Sequence, residues 1–235
     1  MPKEYVYSDY TYNSRNPLVR FSHRKRFLTA LNFILKEKFK NLLDYGAGDG
    51  HFLKEVSKIK TDIELVGFEP VMDNTDSEKI KYYSDVSSIK GRKYGVITCF
   101  EVLEHFNSNG QNEILENIYN LLSDDGVVII SVPIEIYFPS FIKNIIRLKY
   151  TKLDFQYIKN ILKALFAVNI PEIRNKEGYL ETHLGFNYKK LELLFKKHFE
   201  IVQKKNSPLE YLPVIANSQV FYKLKKKNKN SSKHS

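Results

Sequence analysis

Two rhythms of apolar and polar positions alternate along the chain. Residues 27–39 place Phe27, Leu31, Ile34 and Leu35 at helical spacing, while the stretch before them, to Arg26, mixes aromatic and basic residues and reads as an irregular arm. From Asn41 short apolar runs take over. NLLD ends on Asp44, IELVGFE on Glu69 and KYGVITCFE on Glu101, and GVVIISVP is closed by Pro133. Helical stretches lie between them: Phe52, Leu53 and Val56 follow the first run, and Ile114, Leu115, Ile118, Leu121 and Leu122 mark residues 111–122. Strands and helices that alternate at this interval predict βαβ units and a parallel sheet covered on both faces. Further on, residues 189–198 form an amphipathic helix, and FEIVQKK and SQVFYKL are two more strands.

Residues 134–178 break the alternation. Phe138, Phe141, Ile145, Phe155, Ile158 and Leu162 recur at helical spacing among Lys and Arg, predicting two or three amphipathic helices inserted as a cap over the carboxyl edge of the sheet. The organisation expected is one domain over residues 1–224, with an N-terminal arm and helix at 1–40 and the cap at 134–178. A basic, low-complexity, disordered tail is expected at 225–235.

Composition narrows the partners. The 235 residues carry 37 Lys+Arg against 27 Asp+Glu, a net charge of +10 that by itself would invite nucleic acid. The excess is local, however: six Lys and no acid lie in residues 223–235, residues 134–178 carry a net +4, and the remaining 177 residues sum to zero. A neutral body argues against nucleic acid. Cys99 is the only cysteine, so neither an internal disulfide nor a multi-cysteine metal site can form, and within its strand it reads as a buried structural thiol. With no apolar leader and no run of about 18 apolar residues, a soluble protein of the reducing cytoplasm is expected.

Chemistry gathers where the strands end. Ligands of open α/β sheets bind outside the carboxyl ends of the strands, and three runs end on carboxylates. In DYGAGDG the glycines Gly46, Gly48 and Gly50 permit a tight turn and close backbone approach to a ligand. The helix that follows offers a positive dipole end. Glu69 stands about 20 residues on, where a carboxylate accepts hydrogen bonds from ribose hydroxyls.

These residues resemble the class I S-adenosylmethionine (SAM)-dependent methyltransferases. LLDYGAGDG matches the first motif of that family, VGFEP its acidic ribose-binding strand end, SDV at residues 84–86 its adenine loop, TCFEVLEHF its fourth strand and exit, and LLSDDGVVIISVP its fifth strand. The glycine spacing is G-x-G-x-G rather than the G-x-G-x-x-G of dinucleotide-binding enzymes. The resemblance implies an α/β fold: a doubly wound, mostly parallel, Rossmann-like seven-stranded methyltransferase sheet with the helical cap inserted. It further implies that Asp44 and the backbone of Gly46, Ala47, Gly48 and Gly50 hold the methionine portion of SAM, which is released as S-adenosylhomocysteine (SAH). Glu69, followed by Pro70, would take the ribose hydroxyls and Asp85 the adenine amino group, with Val86 flanking the ring and Glu101 closing the pocket. The second crossover, VMDNTDSEKI, is short for its usual helix.

EVLEHF resembles the small-molecule and glycan O-methyltransferase branch. The same E-x-x-E-H occurs in small-RNA 2'-O-methyltransferases, where the matching set here, Glu101, Glu104, His105 and His183, would hold a divalent metal. With or without metal, His105 and His183 are the candidates to act at the methyl acceptor. His23, beside Arg24 and Arg26, reads as part of a polar arm over the cofactor. The expected acceptor is a hydroxyl of a small molecule or of a sugar or glycan precursor, with surface-polysaccharide biosynthesis favoured. A metal-dependent RNA reaction is one alternative. A lipid-linked or quinone-type acceptor, met through peripheral membrane contact of the cap, is the other.

Overall fold

Successive side chains of a strand point to opposite faces, and this alternation divides the apolar residues into two cores. In β1 (Asn41–Tyr45), Leu43 and Tyr45 enter one cluster while Leu42 enters the other; in β5 (Leu122–Pro133), Val128, Ile130 and Val132 oppose Val127 and Ile129. A computed structural model describes residues 17–71, 74–135 and 186–227.

The remaining strands are β2 (Glu64–Phe68), β3 (Ile80–Tyr83), β4 (Tyr94–Phe100), β6 (Phe199–Ser207) and β7 (Gln219–Lys226). They form one seven-stranded sheet in the order β3-β2-β1-β4-β5-β7-β6. The first five strands of that order are parallel, and β7 runs antiparallel to both β5 and β6. Helices α1 (Pro17–Leu35) and α2 (His51–Ile59) contribute Ala30, Leu31, Phe33, Ile34, Leu53 and Val56 to one core. On the opposite face α3 (Ser108–Leu121) and α4 (Tyr188–His198) contribute Ile114, Leu115, Ile118, Leu191 and Phe195. Each fully buried Leu, Ile, Val or Phe among them contributes about 2 kcal/mol relative to exposure. The expected doubly wound, mostly parallel, seven-stranded sheet is therefore present, and strand order reverses between β1 and β4, the switch point at which such sheets bind ligands.

Three expectations are corrected. The stretch before Arg26 is not irregular throughout, because α1 already begins at Pro17, a residue whose fixed φ and missing N–H suit the first helical position. Lys225 and Lys226 belong to β7 rather than to a tail, pairing with Glu200 and Phe199. Between the runs IELVGFE and KYGVITCFE lies a strand the pattern did not show, β3, a four-residue edge strand too short and too polar to be read as an apolar run. Of the segment expected as a cap, Ile134 and Glu135 are described and both are buried; residues 136–178 lie outside the described residues, as do 228–235. No helix among the described residues is long and apolar enough to cross a membrane. Cys99 is a free, fully buried thiol whose pKa burial pushes well up, as its strand position implied.

Candidate cofactor and acceptor site

The loop leaving β1 is built around conformations that side chains resist. At Gly50 φ is +70°, and a Cβ there would fall 2.0 Å from the Tyr82 hydroxyl oxygen; at Gly48 φ is +55°, yet a Cβ would meet nothing within 4 Å. Gly48 thus turns an open face outward beside the strand ends. The loop is fixed from behind, since the Gly46 and Ala47 N–H groups both donate to the Phe68 carbonyl at 2.8 and 3.0 Å. Asn74 Nδ2 donates to the Gly48 carbonyl at 2.7 Å.

Glu69 is locked into the same unit. Its Oε2 accepts from the Gly48 N–H at 2.9 Å and its Oε1 from the Val71 N–H at 3.0 Å. A carboxylate offers about four lone-pair sites, so each oxygen keeps capacity for a further donor. Pro70, next along, is exposed at a bend.

Asp44, at the end of β1, is buried, and its Oδ1 accepts from the Thr98 hydroxyl of β4 at 2.6 Å. Burial pushes its pKa up to about 7; the Thr98 bond opposes that rise and the charge of Glu69 adds to it. Tyr82, from β3, lays its ring over Gly50 and Gly67, and its hydroxyl is buried without a hydrogen-bond partner among the described residues. Asp85 caps a short 3₁₀ turn, Val86–Ile89, by accepting from the Ser87 N–H at 2.8 Å, which lowers its pKa, and its carboxylate is exposed. Val86 packs against the apolar core beside it.

A second group of polar side chains lies past the end of β4. Glu101 has φ +56°, a left-handed conformation costly for a residue with a Cβ. Its carboxylate is held from two sides: the Ser131 hydroxyl of β5 donates to Oε1 at 3.1 Å, and the Arg26 guanidinium of α1 stands 3.7 Å from Oε2. Glu104 is 1% exposed with Oε2 accepting no hydrogen bond from the described residues, and burial, followed by the charge of Glu101, raises its pKa well above the ordinary value. His105 closes the 3₁₀ turn Leu103–His105 and is half-buried. His183 lies outside the described residues.

The four residues matched to a metal site are therefore met only in part. Among the described residues no three His, Cys, Asp or Glu side chains are arranged to hold a metal ion, so Glu101, Glu104 and His105 do not form such a site by themselves.

Several residues of the site carry no motif. Thr98, Tyr82 and Asn74 reach it through strand register and a loop, neither of which a linear pattern reveals. Arg26 could have been found by carrying the inward spacing of Ala30 and Phe33 back one more step, and Glu135, whose charge adds to the raised pKa of Glu104, by noting a carboxylate just past the end of β5.

A family model described as a methyltransferase domain matches residues 20–159, more than half of the chain. The chain belongs to the methyltransferase-domain family. No curated protein gives a significant sequence match. Among solved structures, the methyltransferase domain is similar to the PH0226 protein from Pyrococcus horikoshii OT3, with TM-score 0.58 and 14% identity over 94% of this chain and 97% of that one. It is also similar to the Burkholderia thailandensis 1,6-didemethyltoxoflavin-N1-methyltransferase, solved with 1,6-didemethyltoxoflavin and SAH, at TM-score 0.57 and 15% identity over 94% and 86% of the two chains. A third likeness is to the plantazolicin methyltransferase BpumL, solved with a triazolic desmethylPZN analog and SAH, at TM-score 0.53 and 17% identity over 94% and 89%. These likenesses establish a shared methyltransferase fold.

Proposed function

We propose that this methyltransferase uses SAM to methylate a hydroxyl of a small-molecule acceptor, a sugar or glycan precursor being the favoured class. One observation carries the cofactor half of the proposal: the Gly48 N–H and the Glu69 carboxylate are bonded to each other at the switch point, with open space over Gly48. The residues fit SAM. A nucleoside needs a carboxylate with spare lone pairs for its ribose diol, and Glu69 has them. A methionine portion needs a close-approaching backbone and a counter-charge for its ammonium, which the glycine loop and Asp44 offer.

When bound, SAM supplies an electrophilic methyl group on a sulfonium, which an acceptor oxygen attacks in line. The chain's own part is to hold and to deprotonate. Glu69, already oriented by two backbone N–H groups, accepts the ribose hydroxyls without reorganising. Asp85 and Val86 take the adenine end, and Glu101 closes the pocket. His105, at the exit of β4, is the group assigned to take the acceptor proton, since imidazole titrates in the range where a hydroxyl needs a base. His183 is the second candidate for that role. The 1,6-didemethyltoxoflavin bound in the toxoflavin enzyme structure supports a small-molecule acceptor here.

The test begins with SAH titrated calorimetrically into the full chain. Binding is expected, and Glu69→Ala should weaken it about a hundredfold through loss of two charge-assisted hydrogen bonds; no heat and no thermal stabilisation with either SAM or SAH would overturn the proposal. Nucleotide sugars, sugar phosphates, phenols and short RNAs, screened with methyl transfer as readout both with divalent metal and with chelator, then select the acceptor class. Turnover on RNA alone, abolished by chelator, would replace the sugar reading with the metal-dependent one.

A further inference from the structure

The outer face of α1 has a chemistry that the site does not use. Phe21, Leu28 and Leu35 are 43%, 51% and 44% exposed. They are spaced by seven residues, and a heptad returns to the same side of a helix with a drift of only about 20°, so the three form one apolar stripe along a rod about 28 Å long. Single exposed apolar residues are ordinary on a protein surface; three in register on a helix whose other face is already buried in the core are not. Exposed basic residues flank the stripe, Arg20 and Arg24 on one side and Lys25 and Lys36 on the other. The Lys25 ammonium stands 5.9 Å from the Phe21 ring centre. No Asp or Glu occurs in α1, and the acid just beyond it, Glu37, is paired with Lys223.

We propose that α1 is a docking face for an anionic lipid bilayer, lying in the plane of the interface with Phe21, Leu28 and Leu35 among the acyl chains and the Arg and Lys heads at the phosphates. The chemistry is that of an interfacial helix: a narrow apolar stripe, a positively charged border and a stem that can snorkel. The pattern lacks the acids that a soluble protein partner's mixed surface would call for. The geometry also gives the contact a use, because the opposite side of α1 carries Arg26 to Glu101 at the acceptor end of the site. A bilayer on the outer face would lie about one helix diameter, roughly 10 Å, from that site. This goes beyond the proposed methylation and does not depend on which acceptor is used.

The chain has no Trp, so one introduced by Leu28→Trp reports without background. Full-length protein is mixed with vesicles of phosphatidylcholine alone or of equimolar phosphatidylcholine and phosphatidylglycerol, and followed by sedimentation and by the emission of the new indole. Binding to the anionic vesicles alone is expected, weakened by salt and accompanied by a blue shift at position 28. Leu28→Ser should lower the partition coefficient roughly tenfold. Arg24→Gln/Lys25→Gln should lower it about thirtyfold. SAH binding, unchanged in every variant, checks that each is folded. Absence of vesicle binding, or binding that leaves the indole unshifted and Leu28→Ser without effect, would overturn the proposal, the latter by moving the contact to another basic segment. A blue shift that appears without vesicles and grows with protein concentration would assign the face to a second copy of the chain and would equally overturn it.

Discussion

The two ends of the site are built on different principles. On the β1–β2 side the proposed cofactor surface is mostly backbone: three glycines in left-handed conformations, N–H groups on the Phe68 carbonyl, and one carboxylate, Glu69, tied down by two further N–H groups. Past β4 it is mostly side chain: Arg26 from α1, Glu101 and Glu104 from the β4 exit, Ser131 from β5, with the backbone strained at Glu101 to bring them together. Backbone recognition is fixed by local chain geometry and tolerates little change. Side-chain recognition can be altered one residue at a time without disturbing the strands. A fold that keeps its cofactor while changing its acceptor has reason to divide its site in this way.

The sharpest way to break that division is at Gly50. Gly50→Ala combines a left-handed φ with a Cβ 2.0 Å from the Tyr82 hydroxyl, so it should abolish detectable SAH binding and cost about 2 kcal/mol of stability or more. A thermal melt and a titration on the same sample would show it; a normal melt with normal binding would mean that the loop is plastic and the contrast drawn above is false.

Arg26→Ala probes the other side and should do the reverse. It leaves Glu101 facing the buried Glu104 without its cation, at a cost of about 1 to 2 kcal/mol for a pair that is loose and mostly but not wholly buried. SAH affinity should fall by less than about tenfold, since Glu101 closes the cofactor pocket while Gly48, Glu69 and Asp44 are untouched, and turnover should fall further. A parallel loss of SAH affinity would merge the two regions into one.

A smaller effect concerns Asp44. With its folded pKa raised to about 7 from 3.8, the folded state holds a proton that the unfolded state has lost between those values. The destabilisation from Asp44 is therefore absent below about pH 4, grows as pH rises, and is complete above about pH 7. An ammonium placed beside the carboxylate favours its charged form, so SAH binding just below pH 7 should release a proton. Calorimetry in two buffers of different ionisation enthalpy would detect it, and Asp44→Asn should remove it; release that persists in that variant would assign the proton elsewhere. The smallest expected effect is none at all: deleting residues 228–235, which leaves β7 whole, should leave both the melting temperature and SAH binding unchanged.

How far the sequence could be read follows the same division. The glycine turn and the carboxylates ending β1, β2 and β4 were visible because local spacing creates them, whereas the hydrogen bond from the Gly48 N–H to Glu69, which ties the loop to the acidic strand end, is seen only in the fold. Strand β3 escaped because it is a short edge strand whose residues are only partly buried, so no apolar run marks it, and with it went Tyr82. The start of α1 escaped because Ser22, His23, Arg24, Lys25 and Arg26 look like a polar arm until a tertiary partner, Glu101, accounts for a buried arginine. Thr98 pairs with Asp44 only through the β1–β4 register, which no linear pattern contains.

The place of β7 has a consequence for how the chain is made. It comes last of the seven strands in sequence, yet it sits inside the sheet, with β5 on one side and β6 on the other. A nascent chain that has reached the end of β6 can assemble the parallel half from β3 to β5, but β6 then has no strand to pair with and β5 shows an open apolar edge. Synthesis must continue through Lys226 before that edge is covered. The interval in between is when an unfinished chain is most exposed to aggregation and in most need of a chaperone.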